Sequence, residues 1–143
     1  MDEIFMLAAL AQSRKALPEC LPNPPVGCAI VYGQEMVAQG YTQAPGKHHA
    51  EADALKQIQD KAFHLLKMYV TLEPCSFHGR TPACALAIAE DFQIHEIYVS
   101  ILDPDPRNNG QGLDILRKAG KIVNVGLCAN EVNAFLNQYL LKL

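Results

Sequence analysis

With 143 residues, of which 50% are hydrophobic and 19% charged, the chain has the composition of one globular domain with a buried core, which excludes a disordered segment. Its net charge of -3 gives no support to a surface that binds nucleic acid. No apolar run approaches the ~18 residues of a membrane span, and the N-terminal apolar run follows acidic residues where a signal peptide would be basic. We therefore expect a cytoplasmic protein, in which five cysteines are more typical of metal ligands or buried thiols than of disulfides.

The spacing of apolar residues predicts ten helices and strands along the chain. They are, in chain order, helix 2–16, strands 25–32 and 35–41 as a hairpin, helix 49–59, strand 68–72, helix 82–91, strand 95–100, helix 112–120, strand 121–127 and helix 132–143. This order predicts a mixed sheet between layers of helices, in which the later strands run parallel through right-handed crossovers. In such a sheet, ligands bind at the carboxyl ends of the strands.

The segment HHAEADAL, residues 48–55, places His49 two residues before Glu51 at the predicted start of a helix. Alone, such a pair is most often ordinary surface chemistry. The loop after the third predicted strand adds Cys75 and Cys84. Imidazole and thiolate are zinc ligands, and three protein ligands with one open position are typical of catalytic zinc. We therefore predict that His49, Cys75 and Cys84 hold one zinc ion per chain, with a water of pKa about 7 in the fourth position.

The position of Glu51 gives it a chemical role in such a site. A carboxyl group two residues past a liganding histidine, in the first helical turn, can take a proton from the water and pass it to a leaving amine. The pattern matches the zinc deaminase signature, H-x-E followed by P-C-x-x-C. Here eight residues, and not two, separate the cysteines.

On these motifs the chain resembles the deaminase domain of riboflavin biosynthesis, the diaminohydroxyphosphoribosylaminopyrimidine deaminase family. The motifs are HAE, the loop EPCSFHGRTPAC, PNPPVG at 22–27 and DPDP at 103–106, and the resemblance covers nearly the whole chain. It implies an α/β fold of the cytidine deaminase type, a three-layer α/β/α sandwich around a five-stranded mixed sheet. It also implies a reaction that replaces a ring amino group of a ribosylamino-pyrimidine phosphate with a carbonyl and releases ammonia.

The resemblance also implies roles for single residues. Glu51 matches the proton shuttle, and Asn23 matches a position that hydrogen-bonds the substrate ring. Arg80 and Thr81 match positions near the ribose phosphate, where a guanidinium fits in charge and geometry. A surface salt bridge of Arg80 and a helix N-cap formed by Thr81 stay open as alternatives. The backbone amide of Cys75 is expected to polarise the attacked ring.

Three further polar residues are candidate substrate contacts, each with a structural alternative. His48 either contacts substrate or lies in a solvated loop. His78 either lines the pocket or packs within its loop. Asp103 either faces the substrate or only shapes the proline turn that it begins.

Three positions depart from the family pattern, and all are expected in the substrate pocket. Thr42 and Phe77 stand where the family usually has histidine, and Asp105 replaces the asparagine of DPNP. Asp105 would add negative charge near the substrate phosphate. These changes leave open a paralogous deaminase of another pyrimidine or purine base, nucleoside or nucleotide. A zinc-stabilised binding module is the alternative that is not an enzyme, and the presence of Glu51 argues against it.

We expect residues 1–143 to form a single zinc-dependent deaminase domain without the reductase domain that many relatives carry. A separate reductase would then act on the product. The expected partner is a small-molecule substrate, with neither nucleic acid nor membrane. The resemblance further implies a homo-oligomer.

Overall fold

A computed structural model describes residues 1–79 and 82–140 of the chain. Within these residues the elements are α1 (Asp2–Arg14), β1 (Gly27–Tyr32), β2 (Glu35–Tyr41), α2 (Ala50–Lys56), β3 (Leu66–Leu72), α3 (Cys84–Glu90), β4 (Ile94–Ile101), α4 (Gln111–Lys118), β5 (Ile122–Val125), α5 (Ala129–Leu136) and a final 3-10 turn (Asn137–Tyr139). All ten predicted helices and strands are present in the predicted order. None of the described helices has the length and apolar character needed to cross a membrane.

The five strands form one sheet in the order β2-β1-β3-β4-β5. Strand β1 pairs antiparallel with β2 and with β3, whereas β3, β4 and β5 run parallel. Helices α3 and α4 connect the parallel strands, as crossover connections require. The predicted five-stranded mixed sheet between helices is therefore confirmed, and the carboxyl ends of β3 and β4 meet at one edge.

Both faces of the central strands are covered. Along β1, Cys28 and Ile30 belong to one buried cluster, while Ala29 and Val31 belong to a second cluster with residues of α1. Every residue of β1 except Tyr32 is buried, as expected for a strand with helices on both sides. Cys28 is fully buried in the core, and burial raises its pKa well above the ordinary value.

Glycine allows the helix before the predicted metal ligands to pack closely on the sheet. A Cβ atom at Gly40 in β2 would lie 2.4 Å from the carbonyl oxygen of Ala50, the first residue of α2. No larger residue fits at this position without moving α2 away from the sheet. Because α2 begins directly after His49, the packing at Gly40 helps to fix the height of His49 and Glu51 above the strands.

The helix bounds differ from the predictions mainly at C-termini. Helix α2 ends at Lys56, three residues before the predicted end, because the chain turns at residues 57–60. The predicted helix 132–143 begins earlier, at Ala129, and ends at Leu136. Its apolar stripe is nevertheless part of the core, because Val132, Leu136 and Leu140 are buried. Residues 141–143, which the prediction placed in this helix, lie outside the described residues.

Candidate metal centre

The three predicted metal ligands come from three separate elements and meet at one point. His49 is the N-cap residue of α2, Cys75 lies in the loop after β3, and Cys84 is the first residue of α3. One ligand atom from each lies within 4.8 Å of the other two. The sequence predicted that these three residues, which are up to 35 positions apart, would come together in one group.

The distances within this group fit a zinc ion. Nδ1 of His49 lies 3.4 Å from Sγ of Cys84 and 3.9 Å from Sγ of Cys75. A tetrahedral zinc with ordinary Zn–S and Zn–N bonds would separate nitrogen and sulfur by about 3.6 Å. One histidine and two cysteines also form a typical donor set for zinc. The group can therefore hold one zinc ion, as predicted.

Hydrogen bonds prepare Cys75 to bind as a thiolate. Its pKa is lowered to about 4, first by the hydrogen bond with the Cys84 side chain and further by His49. The backbone amide of Cys84 also donates to Sγ of Cys75 at 3.3 Å. The pKa of Cys84 is raised by the same thiol pair and by burial, so its proton would be released when a metal binds.

Glu51 lies in the first turn of α2, with 4% of its surface exposed. Burial raises its pKa to about 7, and the negative charge of Cys75 adds to this shift. A carboxyl group with such a pKa can both accept and donate a proton near neutral pH. The structure thus places a buried carboxyl group with a raised pKa beside the candidate metal centre.

A cavity of about 660 Å³ opens over this centre, at the carboxyl ends of β3 and β4. Its volume is in the range of small-molecule sites. His49, Glu51 and Cys75 form part of its wall. The predicted location of a ligand at this edge of the sheet is consistent with the cavity.

The predicted substrate contacts divide into three groups. Asn23 and Asp103 line the cavity. His48 and His78 are exposed and are not part of its lining. His48 thus lies in the solvated position that was its structural alternative, whereas the exposed His78 does not line the described cavity. Arg80 and Thr81 lie outside the described residues.

The three residues that depart from the family pattern all line the cavity, as expected. Thr42 is buried, and its Oγ1 accepts a hydrogen bond from the backbone amide of Val26 at 3.0 Å. Phe77 and Asp105 both contact Arg107, another lining residue, which the sequence analysis did not single out. The signal for Arg107 was its position two residues after Asp105 in a proline turn, where the two side chains can pair.

Sequence reasoning also missed Glu73, which is 3% exposed and lines the cavity. Its carboxylate accepts hydrogen bonds from the backbone amides of Asp103 at 3.2 Å, Gly110 at 3.0 Å and Leu113 at 3.2 Å. A charged residue at the end of an apolar strand, directly before Pro74, was a detectable signal, since buried charges need partners.

Comparisons with known proteins agree with this geometry. Residues 1–101 match the family model described as the cytidine and deoxycytidylate deaminase zinc-binding region. The riboflavin biosynthesis protein RibD of Escherichia coli is 42% identical over 141 residues, which cover 99% of this chain and 38% of that protein. The chain therefore spans less than half of that relative.

Two further relatives extend the likeness. A protein of Buchnera aphidicola named diaminohydroxyphosphoribosylamino-pyrimidine deaminase is 38% identical over 130 residues, 91% of this chain and 87% of that protein. The solved structure of Acinetobacter baumannii RibD superposes with a TM-score of 0.89 at 38% identity, covering 96% of this chain and 38% of that one. The chain belongs to the zinc-binding cytidine and deoxycytidylate deaminase family, in the branch of the diaminohydroxyphosphoribosylaminopyrimidine deaminases.

Proposed function

We propose that this protein hydrolyses a ring amino group of diaminohydroxyphosphoribosylaminopyrimidine, forming the ring carbonyl and releasing ammonia. The observation that carries the proposal is the buried Glu51 beside the His-Cys-Cys group in the cavity wall. The likeness to a named deaminase over 87% of that protein's length supports the substrate class. In the balanced reaction, water adds its oxygen to the ring carbon, one of its protons leaves with the amino group as ammonia, and the other remains on the ring nitrogen.

The metal would be held by His49, Cys75 and Cys84. A zinc ion with three protein ligands lowers the pKa of water and so supplies a nucleophile at neutral pH. The lowered pKa of Cys75 favours the thiolate that such binding needs. The hydrogen bond from the amide of Cys84 fixes the direction of the sulfur.

Glu51 would carry the proton between water and substrate. Its carboxylate takes a proton from the attacking water and donates it to the ring nitrogen. It then takes the second proton from the hydroxyl group on the ring carbon and donates it to the leaving amine. Burial supports this double role, since the raised pKa of about 7 keeps both protonation states accessible at neutral pH. The start of α2 holds Glu51 two residues from His49, so the acid–base group and a metal ligand share one rigid turn.

Substrate contacts are proposed from cavity position and from the family motifs. Asn23 and Asp103 line the cavity and would bind the ring or the ribose. Arg80 and Thr81 are proposed for the phosphate on the resemblance of their loop. His48 and His78 are exposed, so a contact from either would have to form at the cavity mouth.

A second candidate is a deaminase of another base, nucleoside or nucleotide. The observation that favours it is Thr42, whose hydroxyl is occupied by the backbone amide of Val26 and replaces a larger imidazole. A side chain smaller than histidine would leave more room at that point and would admit a differently substituted ring. The metal centre and Glu51 would serve that reaction equally.

Replacing Glu51 with Gln tests whether the protein is an enzyme. The zinc-loaded parent should release ammonia from the phosphorylated pyrimidine, and E51Q should be slower by about 10²- to 10⁴-fold while it keeps one zinc per chain. The control is E35Q, because Glu35 is exposed in the hairpin between β1 and β2. Ammonia release by E51Q at the parent rate would refute the role of Glu51. A binding module would release none with either protein.

A further inference from the structure

Arg107 is held in a defined position at the cavity rim by two neighbours. Its Nη2 donates to Oδ2 of Asp105 at 2.6 Å, and its Nε lies 3.1 Å from both carboxylate oxygens. Its guanidinium carbon lies 4.4 Å from the centre of the Phe77 ring. All three residues line the cavity. One edge and one face of the guanidinium are thus occupied by protein.

The other edge of the guanidinium remains available. Within the described part of the chain, Nη1 of Arg107 donates no hydrogen bond, and the side chain is 69% exposed. An exposed ion pair of this kind contributes little to stability, so stability alone does not account for it. A guanidinium fork that is already oriented loses less entropy when it binds an oxyanion.

The contacts of Arg107 link two loops of the active site. The Ser76 hydroxyl, in the loop that carries Cys75, donates to the backbone carbonyl of Arg107 at 3.3 Å. Phe77 belongs to the same loop, whereas Asp105 lies in the loop after β4. The guanidinium is therefore positioned relative to the metal ligand Cys75 and not only to its own loop.

Arg107 brings a positive charge to a cavity whose described lining is rich in carboxyl groups. Among the described lining residues it is the only lysine or arginine, while Glu51, Glu73, Asp103 and Asp105 contribute carboxyl groups. A dianionic phosphate near these groups would be repelled unless a cation faces it. Arg107 neutralises Asp105 and leaves donors for a second anion, which resolves the charge conflict that Asp105 presents in the sequence.

We propose that Arg107, oriented by Asp105 and Phe77, binds the phosphate monoester of the substrate and selects phosphorylated over unphosphorylated pyrimidines. This inference rests on the proposed function and assigns the phosphate an additional ligand. Planar guanidinium forks bind phosphate oxygens through paired hydrogen bonds. Phe77 and Asp105, two of the departures from the family pattern, then act together to orient one residue that determines specificity.

The test compares kcat and KM for the phosphorylated substrate and for its dephosphorylated ribosylamino counterpart. R107Q should raise KM for the phosphorylated compound by about 10- to 100-fold, leave kcat nearly unchanged, and alter the dephosphorylated reaction little. R107K, which keeps the charge without the fork, should fall between parent and R107Q. The control R117Q removes an exposed arginine of α4 outside the cavity and should behave as the parent.

Two outcomes would overturn the inference. An equal loss of kcat/KM with both substrates in R107Q would mean that Arg107 only maintains the loops. No loss with either substrate would mean that it plays no part. A parent that turns over no phosphorylated pyrimidine would refute the proposed function instead. In that case binding of ribose 5-phosphate to parent and R107Q, measured by calorimetry, still tests the anion site: equal affinity would refute it, and weaker binding by R107Q would support it.

Discussion

Oε2 of Glu73 accepts a hydrogen bond from the backbone amide of Leu113 at 3.2 Å, which links the end of β3 to the first turn of α4. Oε1 of the same carboxylate accepts from the amides of Asp103 and Gly110. Glu73 precedes Cys75 by two residues, so one buried carboxylate fixes a candidate metal ligand and the loop after β4 together.

Replacement of Glu73 by Gln should therefore be strongly destabilising. The amide side chain offers one acceptor oxygen, and its NH₂ group would face a backbone donor, so at least one buried amide loses its partner. We expect a decrease in the free energy of unfolding of about 2–3 kcal/mol, measured by urea denaturation of the zinc-loaded protein. The exposed residue Glu35 provides the matched control E35Q. A change below about 0.5 kcal/mol in E73Q would show that the three hydrogen bonds do not stabilise the loops.

Replacing single cysteines with serine should distinguish the two proposed zinc ligands from the other cysteines. C75S and C84S should each lose bound zinc, because an alcohol remains protonated and is a poor zinc ligand. C128S is the control, since Cys128 lies outside the metal group and its sulfur lies 4.0 Å from the carbonyl oxygen of Glu3. The C128S variant should retain one zinc ion per chain, as measured by elemental analysis. Full zinc content in C84S would rule out the assigned ligand set.

The raised pKa of Glu51 predicts how the stability of the metal-free protein depends on pH. A carboxyl group whose pKa rises from 4.5 to about 7 on folding stabilises the fold at low pH and loses this contribution as pH rises through about 7. E51Q lacks the titrating group, and the opposite contribution of Cys75 is common to both proteins. The free energy of unfolding of the parent, relative to E51Q, should fall by up to about 3 kcal/mol from about pH 4 to pH 8.

Denaturation with chelator and reductant at several pH values measures this difference. An unchanged difference between parent and E51Q across that range would mean that Glu51 keeps an ordinary pKa in the folded protein. A difference that rises with pH would mean that folding lowers the pKa of Glu51 and does not raise it.

The sequence predicted the sheet because its signals are local and periodic. Continuous burial of β1 and the helical spacing on α5 can be read from neighbouring residues. The metal group was predictable for another reason: His49, Cys75 and Cys84 are of the residue types that bind zinc, and the loop that carries both cysteines resembles that of the deaminase family. Helix ends were less predictable, since the stop of α5 at Leu136 depends on how the following residues pack against the core.

The contacts of Glu73 and Arg107 depend on tertiary structure and could not be derived from spacing. Glu73 bonds to amides that are 30 to 40 residues away in sequence. Phe77 and Asp105 appeared in the sequence as two unrelated departures, and only the fold shows that both contact Arg107. His48 was a candidate because it adjoins a ligand, but the start of α2 leaves it exposed.

The most direct test is ammonia release by the zinc-loaded parent, offered the phosphorylated ribosylamino-pyrimidine beside cytosine, guanine, deoxycytidylate and their nucleosides. We expect turnover of the phosphorylated ribosylamino-pyrimidine and none of comparable efficiency with the other compounds. Preferential turnover of one of those compounds would contradict the substrate assignment while leaving the metal centre and Glu51 in place. Absence of ammonia from every compound would contradict the account of this protein as a deaminase.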